Sequence, residues 1–414
     1  MRAPARRLAA VLAAGLLACT TAVVGSVPAT AEPDATAQQA APSAAATRLT
    51  ASNFRYDLSE TPSTMIAALD ADLPNVSLAT VANDGNRTGR SCTAPVVRRI
   101  ASFCWNSSDA GTTAWYPQGV TTSSDALGVG MYDGKRILMA SWYDHDGGID
   151  KGVRISVVDL TSGTSTPTYR HVLLVEPTGS ETSPSFQSVK VHAGGIMWYG
   201  NLLYVADTTG GFRVFDLDHL WRVSTGDSSR IGRKADGTFH AFDYKYVLPQ
   251  TASFLDSEVS DDEDLSHSSV SLDRSSTPDS VIVTEYQSQS SIDDGAQVRT
   301  IRVPIDYRDR YLKPASDGII KATEAYRIDL EGVQGSTAIN GKFYFTDSDG
   351  MKFDRPARGD LYTWDAPSGS FTQYSNALTV GPEDLSYDPI RDQMWTLGEH
   401  PYRRWVYSFD AGGF

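Results

Sequence analysis

The sequence predicts an all-β chain: a β-propeller of six or seven four-stranded blades whose ring is closed by an N-terminal strand. Three observations lead there. Past Leu49, short runs rich in Val, Ile, Tyr, Phe and Trp alternate with Gly, Asp, Ser and Pro turns, the pattern of many short strands. The runs recur in one order, so the chain carries an irregular internal repeat. The last repeat also stops one strand short. A β-sandwich would account for the strands but not for their repeated order.

The units follow one another along the chain. Gly119-Val120 leads to Arg136-Ile-Leu-Met-Ala-Ser-Trp142, Val153-Arg-Ile-Ser-Val-Val-Asp-Leu160 and Tyr169-Arg-His-Val-Leu-Leu-Val175. His192-Ala-Gly-Gly-Ile-Met-Trp198 opens the next, followed by Asn201–Asp207, Phe212–Leu217 and Phe242–Leu248. Then come His267–Leu272 with Ser280–Tyr286, Val298–Val303 and Ala325–Leu330. Gln334–Ile339 leads to Lys342–Asp347, Asp360–Asp365 and Phe371–Tyr374, and Glu383–Tyr387 to Gln393–Leu397 and Trp405–Asp410. The starts Gln118, His192, His267, Gln334 and Glu383 lie 49 to 75 residues apart. The segment Val76–Tyr116 is long enough for one further blade or two short ones. Asn53-Phe-Arg-Tyr-Asp-Leu58 is the expected closing strand, which would hide an edge. Only Thr64–Asp72 reads as a helix.

Residues 1–31 read as an export signal, 32–48 as a flexible leader and 49–414 as one propeller domain. Arg2, Arg6 and Arg7 precede an apolar run from Leu8 to about Val24, and Ala29-Thr30-Ala31 is a small-x-small cleavage site. Leu16-Leu-Ala-Cys19 offers a rival reading, a lipoprotein acylated at Cys19. The export reading makes the mature chain secreted, extracellular and free of the membrane, with a monomer expected. It leaves Cys92 and Cys104, an even pair read as one disulfide.

The 414 residues are 41% hydrophobic and 21% charged, enough for a large core and too apolar for global disorder. The net charge is −14, and −17 without the three arginines of the export signal. Such acidity disfavours nucleic acid and anionic lipid as partners.

Chemistry is sparse. The start of each innermost strand faces a propeller's channel, which places Gln118, His192, His267, Gln334 and Glu383 in one polar ring. The ring can hold a cation or form a hydrogen-bonded plug. One Glu among two His and two Gln supplies few carboxylates for calcium, so the plug is expected and no metal or other cofactor is assigned. Asp144-His-Asp146-Gly-Gly-Ile-Asp150 and Asp347-Ser-Asp349 echo a calcium loop but read as Asp-Gly turns, and Asp256–Asp264 as a solvated acidic loop. No Gly-x-Ser-x-Gly, His-Glu-x-x-His or phosphate loop occurs, so no catalytic residue is named. His145, His171, His219, His240 and His400 read as structural. Trp142, Trp198 and Trp395 could stack on sugars but lie within strands, where packing is expected. Gln39 in the leader, and Gln287, Gln289 and Gln297 around the loop Ser288–Ala296, sit where a transglutaminase could draw backbone into its cleft.

The units His192-Ala-Gly-Gly-Ile-Met-Trp198, Gln334-Gly-Ser-Thr-Ala-Ile339 and Gly381-Pro-Glu-Asp-Leu-Ser-Tyr387, with the Ala-rich leader, carry a resemblance. Beyond about Leu49 the chain resembles the secreted Streptomyces β-propeller proteins of the dispase autolysis-inducing type. The resemblance implies a non-enzymatic protein that promotes self-digestion of a thermolysin-type neutral metalloprotease and donates glutamines to a secreted transglutaminase. It carries over no catalytic residue. The rival expectation is a calcium-dependent lactonase or esterase of the gluconolactonase type. That family holds its metal with Glu, Asn and Asp, of which only Glu383 and Asp384 are offered here.

Overall fold

The computed structural model describes residues 38–39, 46–257, 259, 265–348, 351–352, 355–367 and 369–414. The export segment, Cys19 and the acids Asp261–Asp264 lie outside the described residues.

Five antiparallel four-stranded blades are present among the described residues. The first is Trp115–Thr122, Ile137–Asp144, Val153–Asp159 and Thr168–Ser180. The second is Ile196–Tyr199, Leu202–Asp207, Gly211–Asp216 and Tyr246–Asp256. The third is Ser269–Asp273, Ser280–Thr284, Val298–Pro304 and Glu324–Ile328. The fourth is Val333–Ile339, Lys342–Asp347, Asp360–Asp365 and Phe371–Ser375. The fifth has Ser386–Asp388, Gln393–Leu397 and Trp405–Phe409 from the end of the chain, and Arg99–Cys104 from near its start.

The propeller is therefore as expected, but with five blades where six or seven were expected. The region Val76–Tyr116 makes no blade. It supplies the helix Leu78–Asn83, a two-residue strand Arg87–Thr88 on the outer edge of the first blade, and the closing strand itself. The closing strand is N-terminal, yet it is not Asn53–Leu58. Arg55–Glu60 instead pairs with the outer strand of the second blade, from Ala252 opposite Glu60 to Asp256 opposite Tyr56. Packing decides between the two donors. Phe103 and Trp105 bury beside Trp142 and Trp395 between the first and last blades, whereas Phe54 and Tyr56 bury with Phe212 and Phe254. The Cys92–Cys104 disulfide, with Cα atoms 5.8 Å apart, ties the closing strand to the segment before it.

The leader is not wholly loose. Gln38–Gln39 pairs with Tyr374–Ser375 and Ala46–Arg48 with Tyr326–Ile328, adding edge strands to the fourth and third blades. The expected helix forms as Ser63–Asp72, with Ile66 and Leu69 buried against Trp221 and Phe186. Six Trp side chains, among them Trp142, Trp198 and Trp395, are fully buried, so these three pack the core and offer no stacking surface. Among the described residues no helix is long and apolar enough to cross a membrane.

Inner strands of neighbouring blades approach backbone to backbone. A Cβ on Gly195 would stand 2.2 Å from the Val270 nitrogen, and one on Gly335 2.5 Å from the Glu383 oxygen. Glycine is required there by contact between blades.

Candidate functional site at the channel

The ring axis is occupied by a side chain the sequence left at the margin. Asp384, fully buried, accepts the Ile196 N–H (3.0 Å) and the Val120 N–H (3.3 Å) on Oδ2 and the Ser269 hydroxyl (3.1 Å) on Oδ1. Ser269 Oγ in turn accepts the Ser336 N–H at 2.9 Å. One carboxyl thus links the inner strands of the first, second and third blades and, through Ser269, the fourth. Burial raises its pKa well above the usual carboxylate range, and these hydrogen bonds offset only part of that.

Three of the five expected ring residues gather at one mouth of the channel. Gln118 is buried, and its Oε1 lies 3.0 Å from His192 Nε2 while its Nε2 donates to Glu399 Oε2 at 3.2 Å. Glu383 is 1% exposed, and its Oε1 has no hydrogen-bond partner among the described residues. Burial, then the charges of Glu399 and Asp384, push its pKa well above the usual carboxylate range. Burial, then the charge on His145, lowers the pKa of His192. The Tyr143 ring lies 4.3 Å from that of His192, tilted by 37°, and burial with the Glu399 and Glu383 charges raises its pKa to about 12. Tyr286, raised by burial and the same two acids, is exposed at this mouth.

The other two ring residues do not join. His267 is fully buried between blades, with Nε2 2.8 Å from the Tyr56 hydroxyl and Nδ1 2.8 Å from the Leu265 carbonyl. Phe212 and Tyr56 surround it, which draws the side chain into the apolar interface instead of the channel. Gln334 is half-buried and makes no hydrogen bond to the other four. The mouth therefore pairs a buried acid of raised pKa, Glu383, with Glu399, which Gln118 holds by one hydrogen bond. Glu399 went unread because it precedes His400-Pro401 in a turn and not at the start of a repeat.

No three His, Cys, Asp or Glu side chains converge as metal ligands among the described residues. Calcium prefers several ionised oxygens. Gln118 Oε1 is engaged with His192 and the Asp384 carboxyl is committed to the axis, so the mouth offers that ion only the Glu383 and Glu399 carboxylates. In the loop after Ile137–Asp144, Asp144 accepts the Asp146 and Lys151 N–H groups and Asp150 that of Gly152, which are the turns expected.

An Asp–His–Ser row does exist in the first blade, unseen in the sequence because its members lie on separate elements. His171 Nε2 is 3.3 Å from Asp109 Oδ2 and Nδ1 is 3.0 Å from Ser156 Oγ. Ser156 is fully buried and accepts the Trp142 indole N–H at 2.8 Å, so no acyl group can reach it. Burial and the Arg154 charge hold His171 at about 3, hence neutral. This row is structural.

The four transglutaminase-relevant positions divide. Gln289 and Gln297 are exposed, Gln289 on the single-turn helix Gln289–Asp293 capped by Ser288. Gln287 is half-buried, its carbonyl accepting the Gly332 N–H. Gln39 lies in an edge strand, not in a free leader, and so does its neighbour Gln38.

No family model and no curated protein matches the chain. Among solved structures, it is similar to a GH43_1 enzyme from Xanthomonas citri, at 11% identity and TM-score 0.31 over 83% of this chain and 92% of that one. It is also similar to the Cps50 (Swd1) β-propeller domain of Myceliophteria thermophila, at 10% identity and TM-score 0.33 over 72% and 97%. A computationally designed protein, Ika8, matches at 8% identity and TM-score 0.25 over 76% and 99%. The chain is a β-propeller.

Proposed function

We propose that the chain is an extracellular propeller working through protein–protein contact: it binds a thermolysin-type neutral metalloprotease, promotes its autolysis, and donates glutamine to a transglutaminase. One observation carries the contact reading. On the turn Leu127–Gly130, Leu127 and Val129 are 39% and 71% exposed, and the turn abuts Ile390, itself 50% exposed. Neighbouring exposed apolar side chains on a soluble fold mark a surface for another protein. A partner that binds the locally opened protease better than the closed one raises the opened population, which is the form that proteases cleave. Exposed Gln289 and Gln297 support the donor role.

The test mixes the mature chain with a thermolysin-type protease in calcium buffer and follows residual activity and fragments. Rapid loss of protease with this chain intact, abolished by Val129→Asp with Ile390→Asp, is the expected result. An unaffected protease overturns the proposal.

A second reading, hydrolysis at the channel mouth, is favoured by the unpartnered Glu383 oxygen beside Glu399. A buried acid of raised pKa near a second carboxylate is the pairing that acid–base hydrolysis uses. Turnover in lactone, ester and glycoside screens, lost in Glu383→Gln and indifferent to chelator, would support it.

A further inference from the structure

We infer that a cavity of about 270 Å³ on the outer side of the first and second blades binds a doubly charged oxyanion, a phosphate or sulfate group. It is independent of the channel and of the apolar rim.

The fold brings four cations to this cavity from four stretches of chain. Arg87 lies on the edge strand whose register sets it opposite Tyr169, and Arg170 is the next residue along the outer strand of the first blade. Lys245 arrives on the segment entering Tyr246–Asp256, which runs parallel to that strand with Val247 opposite Leu173. Lys151 comes from the loop before Val153–Asp159. Arg154 stands behind them, 3.3 Å from Asp109.

The carboxylates present anchor these groups without neutralising them. Asp84 takes Lys245 at 2.7 Å and Arg170 at 3.3 Å, and Asp109 takes Arg87 Nε at 3.1 Å as well as Arg154. Asp243 lines the cavity and accepts the Gly226 N–H. Four of the residues lining the cavity are cations and one, Asp243, is a carboxylate, in a chain whose net charge is −14. Lys151 has no ion-pair partner among the described residues, so its ammonium is free to meet a ligand. Arginines already held in place lose little freedom on binding, and their planar forks suit the paired oxygens of phosphate and sulfate. The volume exceeds that of several waters at about 30 Å³ each, enough for one such group.

Isothermal titration of the full mature chain with inorganic phosphate and with sulfate, at constant ionic strength in chloride buffer, tests this. Saturable heat is expected, weakened at least about tenfold by Lys151→Gln and unchanged by Lys313→Gln, an exposed lysine elsewhere. Arg87→Lys keeps the charge but loses the fork. It should weaken binding with an unchanged circular-dichroism spectrum. A preference for either anion supports the site. Absence of saturable heat, or equal effects of Lys151→Gln and Lys313→Gln, overturns it.

Discussion

Removing the Asp384 carboxyl tests whether one side chain holds the ring together. Asp384→Ala would leave the Val120 and Ile196 N–H groups without an acceptor in the buried axis and strip Ser269 of one partner. Each orphaned buried group costs about 1–3 kcal/mol, so the two amides alone cost about 2–6 kcal/mol. With about 2.1 cal/mol/K of unfolding entropy per residue, a domain of this length would lose about 3–8 °C of Tm. Asp384→Asn should behave differently. Its carbonyl can still accept both amides, its NH₂ can donate to Ser269, and it cannot ionise. Burial has raised the folded pKa of Asp384 above the unfolded value. The acid therefore favours the fold fully below the unfolded value, about 3.9, and that contribution is lost as pH rises toward the folded one. Relative to wild type, Asp384→Asn should gain stability as pH climbs above about 4. Chemical denaturation of the three proteins at pH 4.5 and pH 8 measures this. Equal losses in the Ala and Asn variants would refute the hydrogen-bond argument, and a pH-independent gap between Asn and wild type would refute the electrostatic one.

Reducing Cys92–Cys104, or replacing both residues by Ser, should cost about 3 kcal/mol by loop entropy for a separation of 12, seen as a Tm lower by about 4 °C. Because Cys104 ends the closing strand, amide exchange should rise first in Arg99–Cys104 and its partner Trp405–Phe409. Asp125, raised to about 6 by burial against hydrogen bonds from Ser386, Thr121 and Thr122, should take about 3 kcal/mol from stability between pH about 4 and about 6. Asp125→Asn should flatten that window in a pH series of melts. Gln289→Asn with Gln297→Asn should reduce transglutaminase-catalysed amine incorporation several-fold, whereas Gln287→Asn should leave it unchanged, as read by mass spectrometry of the labelled peptides.

Much of the fold is legible residue by residue. Most strands of the five repeats appear near where alternation of branched and aromatic residues with turn residues put them, and Thr64–Asp72 is helical; the outer strand expected over Phe242–Leu248 instead runs Tyr246–Asp256. The channel was legible in part. Gln118 reaches the mouth from the irregularity between Pro117 and Val120 within its innermost strand, His192 and Glu383 from the segments just before theirs. His267 holds the same phase but turns away, since Phe212 and Tyr56 offer it a buried aromatic pocket and a hydrogen bond. Asp384 and Glu399 carry more of the axis and mouth than the sequence indicated. Gly195 and Gly335 were the overlooked signals, since each marks a place where two inner strands touch.

The sequence by itself determined the strands, their repeated order, the shortage of one strand at the C-terminus and the pairing of Cys92 with Cys104. These are properties of short runs, of counting, or of two cysteines that pair once the first 31 residues are taken as an export signal. Only the tertiary structure decided the blade number, the closing strand and the group on the axis. Arg99–Cys104 and Arg55–Glu60 are both competent strands, and nothing local separates them. The choice falls to contacts made from tens to hundreds of residues away: Phe103 and Trp105 against Trp142 and Trp395, Tyr56 against Phe212 and His267. The same distance hides Asp384, whose partners come from Val120, Ile196 and Ser269 only after the ring has closed.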